Sequence, residues 1–231
     1  MDIGYLTSDA AKYPSNDWKK VIILGILFLI SFLIIPAFLC MGYLFRVLKW
    51  SIAGVDELPD FDEWKTMLID GFKVFVVQIF YFIIPFVILF LSIWASIGSL
   101  LTLQSTGDAM IPTTVFSLMG GLFFLGLVVA AVFGVFFTIA LANMAYYDGE
   151  LAAAFRFREM LDRISAIGWV DLIIWYVMMI IVGIILGVVA SILIFIPILG
   201  WALIILIIYP YLYLLYARAL GLLFVSGFEN Q

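Results

Sequence analysis

Between Asp171 and Arg218 the chain runs 46 residues, 172–217, without a charged side chain. As one α-helix that run would be about 69 Å long, more than twice the roughly 30 Å hydrocarbon core of a bilayer. It must therefore fold back on itself. The break stands at Pro197-Ile198-Leu199-Gly200 and leaves two stretches of spanning length, 172–196 and 201–224. The same reading finds spans near 21–45, 74–99 and 115–147, each bounded by polar residues. Composition agrees, since 67% of the residues are hydrophobic and the mean hydropathy is +1.27, against roughly 45–50% apolar residues in soluble domains. Backbone amides in lipid must bond within their own segment, so helices are expected, and the sequence has no alternating ten-residue barrel strands.

The expected fold is an all-α, multi-pass integral membrane helix bundle of five transmembrane helices. It forms a single membrane domain over 21–226, between a polar N-terminal tail, 1–20, and a short C-terminal tail, 227–231. Pro36, Pro85 and the Gly120-Gly121 pair are places where a long run can divide into half-helices. The first apolar stretch, 25 residues, exceeds the roughly 7–15 of a signal-peptide core and is expected to stay in the chain. Cys40 follows Leu39, which is too bulky for a lipoprotein cleavage site. It is the only cysteine, so no intramolecular disulfide is possible.

Arg46, Lys49, Lys65 and Lys73 lie between the first two spans, Arg156, Arg158 and Arg163 between the third and fourth, and Arg218 at the end of the fifth. The connections near 103–114 and 197–200 hold no base. Positive residues favour the cytoplasmic side, so the charged loops and the C-terminus are expected there in a cell membrane. With five crossings the N-terminal tail falls outside, against Lys12, Lys19 and Lys20; a sixth crossing or a re-entrant helix would bring it inside.

Residues 54–75, GVDELPDFDEWKTMLIDGFKVF, hold six carboxylates and two lysines in a chain that is 12% charged. Phe61, Trp64, Met67, Leu68, Gly71, Phe72 and Phe75 recur at helical spacing, and Asp60 with Glu63 has the form of a capping box. The expectation is an amphipathic interfacial helix near 60–73 whose carboxylates stay in water. A second such helix is expected near 150–167, with Leu151, Phe155, Leu161, Ile164 and Gly168 on one stripe and the pairs Arg158/Asp162 and Glu159/Arg163 on the other side. The recurrence of span, surface helix and span allows a parallel internal repeat.

The string GYLFRVLKWSIAGVDELPDFDEWKTMLIDGFK resembles the signature of an uncharacterised, mainly archaeal family of membrane proteins, domain of unknown function 4013. In that family a G-Y-L-x-R-V stretch leads through L-P-x-F-D-x-W to D-G-x-K. On this resemblance the motif positions are Gly42, Tyr43, Arg46, Leu58, Pro59, Phe61, Asp62, Trp64, Asp70 and Gly71. The resemblance implies a membrane fold and an archaeal origin, and it brings no activity, substrate or catalytic residue.

The residues offer little to catalysis. Without histidine, His-based general base, zinc and haem chemistry have no side chain to use. The acidic elbow has no EF-hand spacing, and no glycine-rich phosphate loop occurs. No catalytic residue, cofactor or metal is therefore expected, and the chain is read as a non-enzyme. A net charge of −5 offers no basic face to nucleic acid.

The spans hold no central ionisable group of the kind that ion-coupled carriers use. Small residues recur every four positions as Gly126, Ala130, Gly134, Thr138 and Ala142 on the third span, and as Gly183, Gly187 and Ser191 on the fourth, as in close helix packing or a homo-oligomer contact. The two stripes are expected to meet each other. The functional expectation is a scaffold or interaction protein that meets membrane lipids and a cytoplasmic or membrane protein partner. Its candidate surface is Arg46, Asp60, Phe61, Asp62, Glu63, Trp64 and Asp70. The alternative is a small carrier of lipidic or neutral solutes.

Overall fold

The computed structural model of the chain describes residues 3–106 and 110–229, and among these every regular element is helical. The α-helices are α1 (Ile3–Lys12), α2 (Trp18–Leu29), α3 (Ile34–Ile52), α4 (Trp64–Thr106), α5 (Met110–Tyr146), α6 (Phe157–Ile167), α7 (Trp169–Leu193), α8 (Leu199–Leu203) and α9 (Tyr209–Glu229). Short 3-10 turns cover Tyr13–Asn16 and Leu151–Phe155, and Ile204–Ile208 is a π-helical turn. Five helical segments are long and apolar enough to cross a membrane: Ile34–Ile52, Trp64–Gly98, Met119–Tyr146, Trp169–Leu193 and Leu199–Phe228. The chain divides into two compact units, Met1–Val76 with Ile139–Gln231, and Val77–Thr138.

In the larger unit the first expected span, 21–45, is two helices rather than one. Asp17 caps α2 by accepting the Lys20 N–H at 3.2 Å, and α2 ends after twelve residues at Ile30, whose N–H bonds back to Ile26. The chain turns through Ser31, Phe32 and Leu33. Pro36, which has no N–H to donate, sits in the first turn of α3, where helices tolerate proline. The proline flagged in the sequence thus lies just past a true break, and α3 folds back beside α2. Val21, Leu24, Leu27, Cys40, Tyr43 and Val47 form one core with Tyr13, Leu58, Met67 and Leu214.

Two glycines set the approach of α3 to α4. A Cβ on Gly42 would overlap the backbone carbonyl of Met67, and one on Gly71 would overlap that of Phe38. Only glycine lets the two backbones come this close. Elsewhere, Pro210 has no N–H for the carbonyl of Leu206, four residues earlier, and the chain passes through the π turn just before it. Gly25 of α2 rests on this π turn, since a Cβ there would overlap the Leu206 carbonyl.

Within Val77–Thr138, α4 and α5 pack antiparallel. Phe137 meets Tyr81 and Phe82 at centroid distances of 6.2 and 5.3 Å. Gly126 admits Leu89 and Ile88, and the buried Ser92 hydroxyl donates to the Met119 carbonyl at 2.9 Å. Of the small-residue stripes, Gly126 faces α4 within Val77–Thr138, and Gly183 faces the Tyr216 hydroxyl of α9 in the larger unit. Gly134 and Gly187 have no atom within 4 Å of an added Cβ, Ala130 is half-buried, and the exposed Ser191 hydroxyl bonds its own helix at Val188.

Candidate functional site at the charged end

Five of the six carboxylates of residues 54–75, all but Glu57, pair with bases from elsewhere in the larger unit. The segment 53–63 is an irregular loop, and α4 starts only at Trp64, immediately after Glu63 at φ 47°. This corrects the expected surface helix near 60–73. Its capping box does not form, because Asp60 and Glu63 are engaged with other parts of the chain.

Arg46, on α3, is the centre of the loop. Its guanidinium donates to the carbonyls of Asp60 and Asp62, both at 3.1 Å, and to the Asp62 carboxylate. Its second terminal nitrogen lies 3.5 Å from the Glu63 carboxylate and makes no hydrogen bond. One helical turn earlier, Tyr43 donates from its hydroxyl to the Pro59 carbonyl at 2.9 Å and stacks on Phe61 at 3.9 Å between ring centroids. Leu58 fills the core beneath. The loop is thus bound to α3 through its backbone as well as its charges.

The N-terminal segment holds the other side of the loop. Lys20 donates to the Leu58 carbonyl at 2.6 Å and pairs with Asp60 at 2.8 Å. Its hydrogen bond and charge hold the exposed Asp60 carboxyl below its ordinary value. Tyr13 donates to the Glu57 carbonyl at 2.9 Å, and burial pushes its phenol up to about 12. Arg218, almost fully buried on α9, pairs with Asp9 of α1 at 3.1 Å and with Asp56, donates to the Val55 carbonyl, and lies over the Tyr13 ring. The N-terminal tail therefore shares one end of the unit with the first charged loop. The sequence reading expected the tail outside and this loop in the cytoplasm; in the unit the two are in contact.

Asp70 is buried rather than solvated. It receives Lys49 at 3.2 Å and Lys73 at 3.3 Å. Lys49 also reaches Asp148, and Lys73 donates to the Gly149 carbonyl, so α3, α4 and the turn after α5 are tied through one carboxylate. Trp64 and Phe72 point outward from α4. The second elbow has its own wiring. Asn143, at the end of α5, donates to Ala153 and fixes the 3-10 turn. Then α6 buries Met160, Ile164 and Ile167 while Leu161 faces out, which alters the expected stripe. Glu159 takes the Tyr147 hydroxyl and Arg156, and Arg163 lies 3.8 Å over the Phe228 ring, in place of the expected pairs.

Among the described residues no group of three or more Cys, Asp or Glu side chains is placed to hold a metal ion. The candidate residues Arg46, Asp60, Phe61, Asp62, Glu63 and Trp64 come together around the loop, while Asp70 pairs with Lys49 and Lys73; all except Trp64 and Phe61 are bound by charge within the unit. Phe61 is bound by stacking, on Tyr43. Sequence reasoning missed their partners Tyr13, Lys20, Lys49 and Arg218. The surplus of acids over bases in residues 54–75 was the available signal, since such a cluster needs bases from elsewhere.

A model of a protein family of unknown function, DUF4013, matches residues 23–195. The chain belongs to the DUF4013 family. No curated protein and no solved structure matches it. The DUF4013 signature read in the sequence now has a physical content in this chain. Gly42 and Gly71 allow the helix crossing, Tyr43 and Arg46 hold the loop backbone, Leu58 and Phe61 seat it, and Asp70, through Lys49 and Lys73, ties α3 and α4 to the second charged turn.

Proposed function

We propose that this DUF4013 protein is a non-catalytic scaffold of the cell membrane, and that its charged end is a preformed docking platform for a cytoplasmic or membrane protein partner. The observation that carries this reading is the binding of the 53–63 loop on two sides, by Arg46 and Tyr43 of α3 and by Lys20 and Tyr13 of the N-terminal segment. A loop fixed before binding loses little conformational entropy when a partner arrives. The side chains displayed outward at this end include Glu57 on the loop and Trp64 and Lys65 at the start of α4. The test is a photo-crosslinking amino acid at Glu57 or Lys65 in native membranes. A discrete protein adduct that disappears when Arg46→Ala loosens the loop supports the reading. Crosslinks to lipid alone, unchanged by Arg46→Ala, would overturn it.

One observation supports the carrier alternative. Within Val77–Thr138 an apolar cleft of about 300 Å³ opens between α4 and α5, lined by Ser92, Ser96, Ile97, Met119, Gly120 and Phe123. A lipid or neutral solute retained stoichiometrically through purification, and lost on Gly120→Leu, would favour that reading over the scaffold.

A further inference from the structure

The placement of the N-terminal tail raises the question of how residues 18–52 meet the bilayer. The hairpin of α2 and α3 begins and ends at the charged end. Lys20 near the start of α2 and Arg46 near the end of α3 hold the same loop, through Asp60 and its neighbours. Trp18, Trp64 and Trp169, all about half exposed, open α2, α4 and α7. Tryptophan prefers the water–hydrocarbon boundary, so these three mark the interface on the charged side.

Depth follows from helix length. The twelve residues of α2 advance at most about 18 Å, and Ile34 lies twelve residues from Arg46, again about 18 Å. Neither arm spans a hydrocarbon core of about 30 Å. Yet the turn joining them is apolar and faces outward, with Phe32 81%, Leu33 51%, Ile34 74% and Ile35 63% exposed. In water such a tip would be costly; in hydrocarbon it is favourable, provided its backbone is satisfied. Much of it is. Ile30, Ser31, Leu33 and Ala37 donate their N–H groups to Ile26, Phe28, Ile30 and Leu33, the Ser31 hydroxyl donates to Phe28, and Pro36 has no N–H to satisfy.

We infer that α2 and α3 form a re-entrant hairpin that enters the bilayer from the charged side and returns to it, with residues 30–35 seated in the acyl chains of the membrane interior. The occupant of its exposed tip is lipid hydrocarbon. The candidate span Ile34–Ile52 is then not a crossing, and two helices occupy only part of the bilayer's depth. This inference is independent of the scaffold reading, because a carrier could hold the same hairpin.

The test uses the full chain with Cys40→Ala in sealed proteoliposomes. Single cysteines replace Lys19, Glu57 and Ser31 in turn, and each is exposed to an impermeant maleimide from one face and then the other. The expected result is that positions 19 and 57 react from the same face, while position 31 reacts from neither, at least about tenfold more slowly than the other two. A bimane attached at position 31 in detergent, before reconstitution, should be quenched by acyl-brominated lipid. Reaction at position 31 from the opposite face would show a true crossing, and reaction from the same face would show a tip in water; either overturns the inference. If Ser31→Cys fails to fold, as judged by gel filtration, Phe32→Cys replaces it with the same expected outcomes.

Discussion

Gly42 and Gly71 leave no room for a side chain between α3 and α4. An added methyl must push apart two helix backbones, an overpacking strain of about 1–3 kcal/mol. Gly42→Ala and Gly71→Ala should each lower the melting temperature in detergent, whereas Gly134→Ala and Gly187→Ala, where an added Cβ meets no atom within 4 Å, should leave it level or raise it. The four glycines look alike in sequence. Spacing reveals that a helix has a small face and says nothing of which neighbour fills it: Gly126 takes α4 and Gly183 takes α9, while Gly134 and Gly187 have nothing against them. Asp60 offers a pH test. Its carboxyl is held low by Lys20, so the ionised form is favoured in the fold. The pair's contribution is present above the ordinary carboxylate value of about 3.9 and is lost as pH falls through the lowered folded value. In a carbon-detected titration Lys20→Met should return Asp60 toward the ordinary value; an unchanged titration would remove Lys20 as the cause. Tyr13 has the opposite sign, being raised to about 12. Its contribution is complete below a pH of about 10 and is lost as the pH rises through 12.

At the level of elements, the elbow between α3 and α4 was legible as a charged segment next to a span-length helix. Its conformation was not. Asp60 and Glu63 have the spacing of a capping box, but both carboxylates are drawn to bases that lie 40 and 17 positions earlier in the chain. Local patterns lose when a long-range ion pair competes for the same side chain. The buried face of α4 shows the same effect, for it includes Asp70 between Met67 and Val74. Asp70→Asn should destabilise the protein by about 3 kcal/mol or more, because Lys49 and Lys73 would lose their shared carboxylate in a partly desolvated site. Lys73→Met should cost less, since Lys49 remains in place. Equal effects, measured by denaturation in detergent, would mean that the network does not centre on Asp70.

For the molecule as a whole, the charge-free run 172–217, the break at Pro197 and the number of span-length helices were all readable from sequence. Apolar length and proline leave no other solution in a bilayer. The path of residues 18–52 was not readable, because 21–45 looks like one span and only the turn at Ile30–Leu33 shows that it is two arms. With these arms as the re-entrant hairpin proposed above, the N-terminal tail joins the side of the charged loops, and Lys12, Lys19 and Lys20 gather with the other bases, as the positive-charge rule favours. This tail and the 53–63 loop form one ion-paired platform. It is tested most directly by a pulsed electron–electron distance between spin labels at Asn16 and Glu57, in the Cys40→Ala protein reconstituted in lipid. Asn16 and Tyr13 both contact the loop at residues 56–57, so the account predicts a single short distance, below about 25 Å with the label arms included. A separation of about 40 Å, the full thickness of a bilayer with its headgroups, would place the tail on the other side and contradict it.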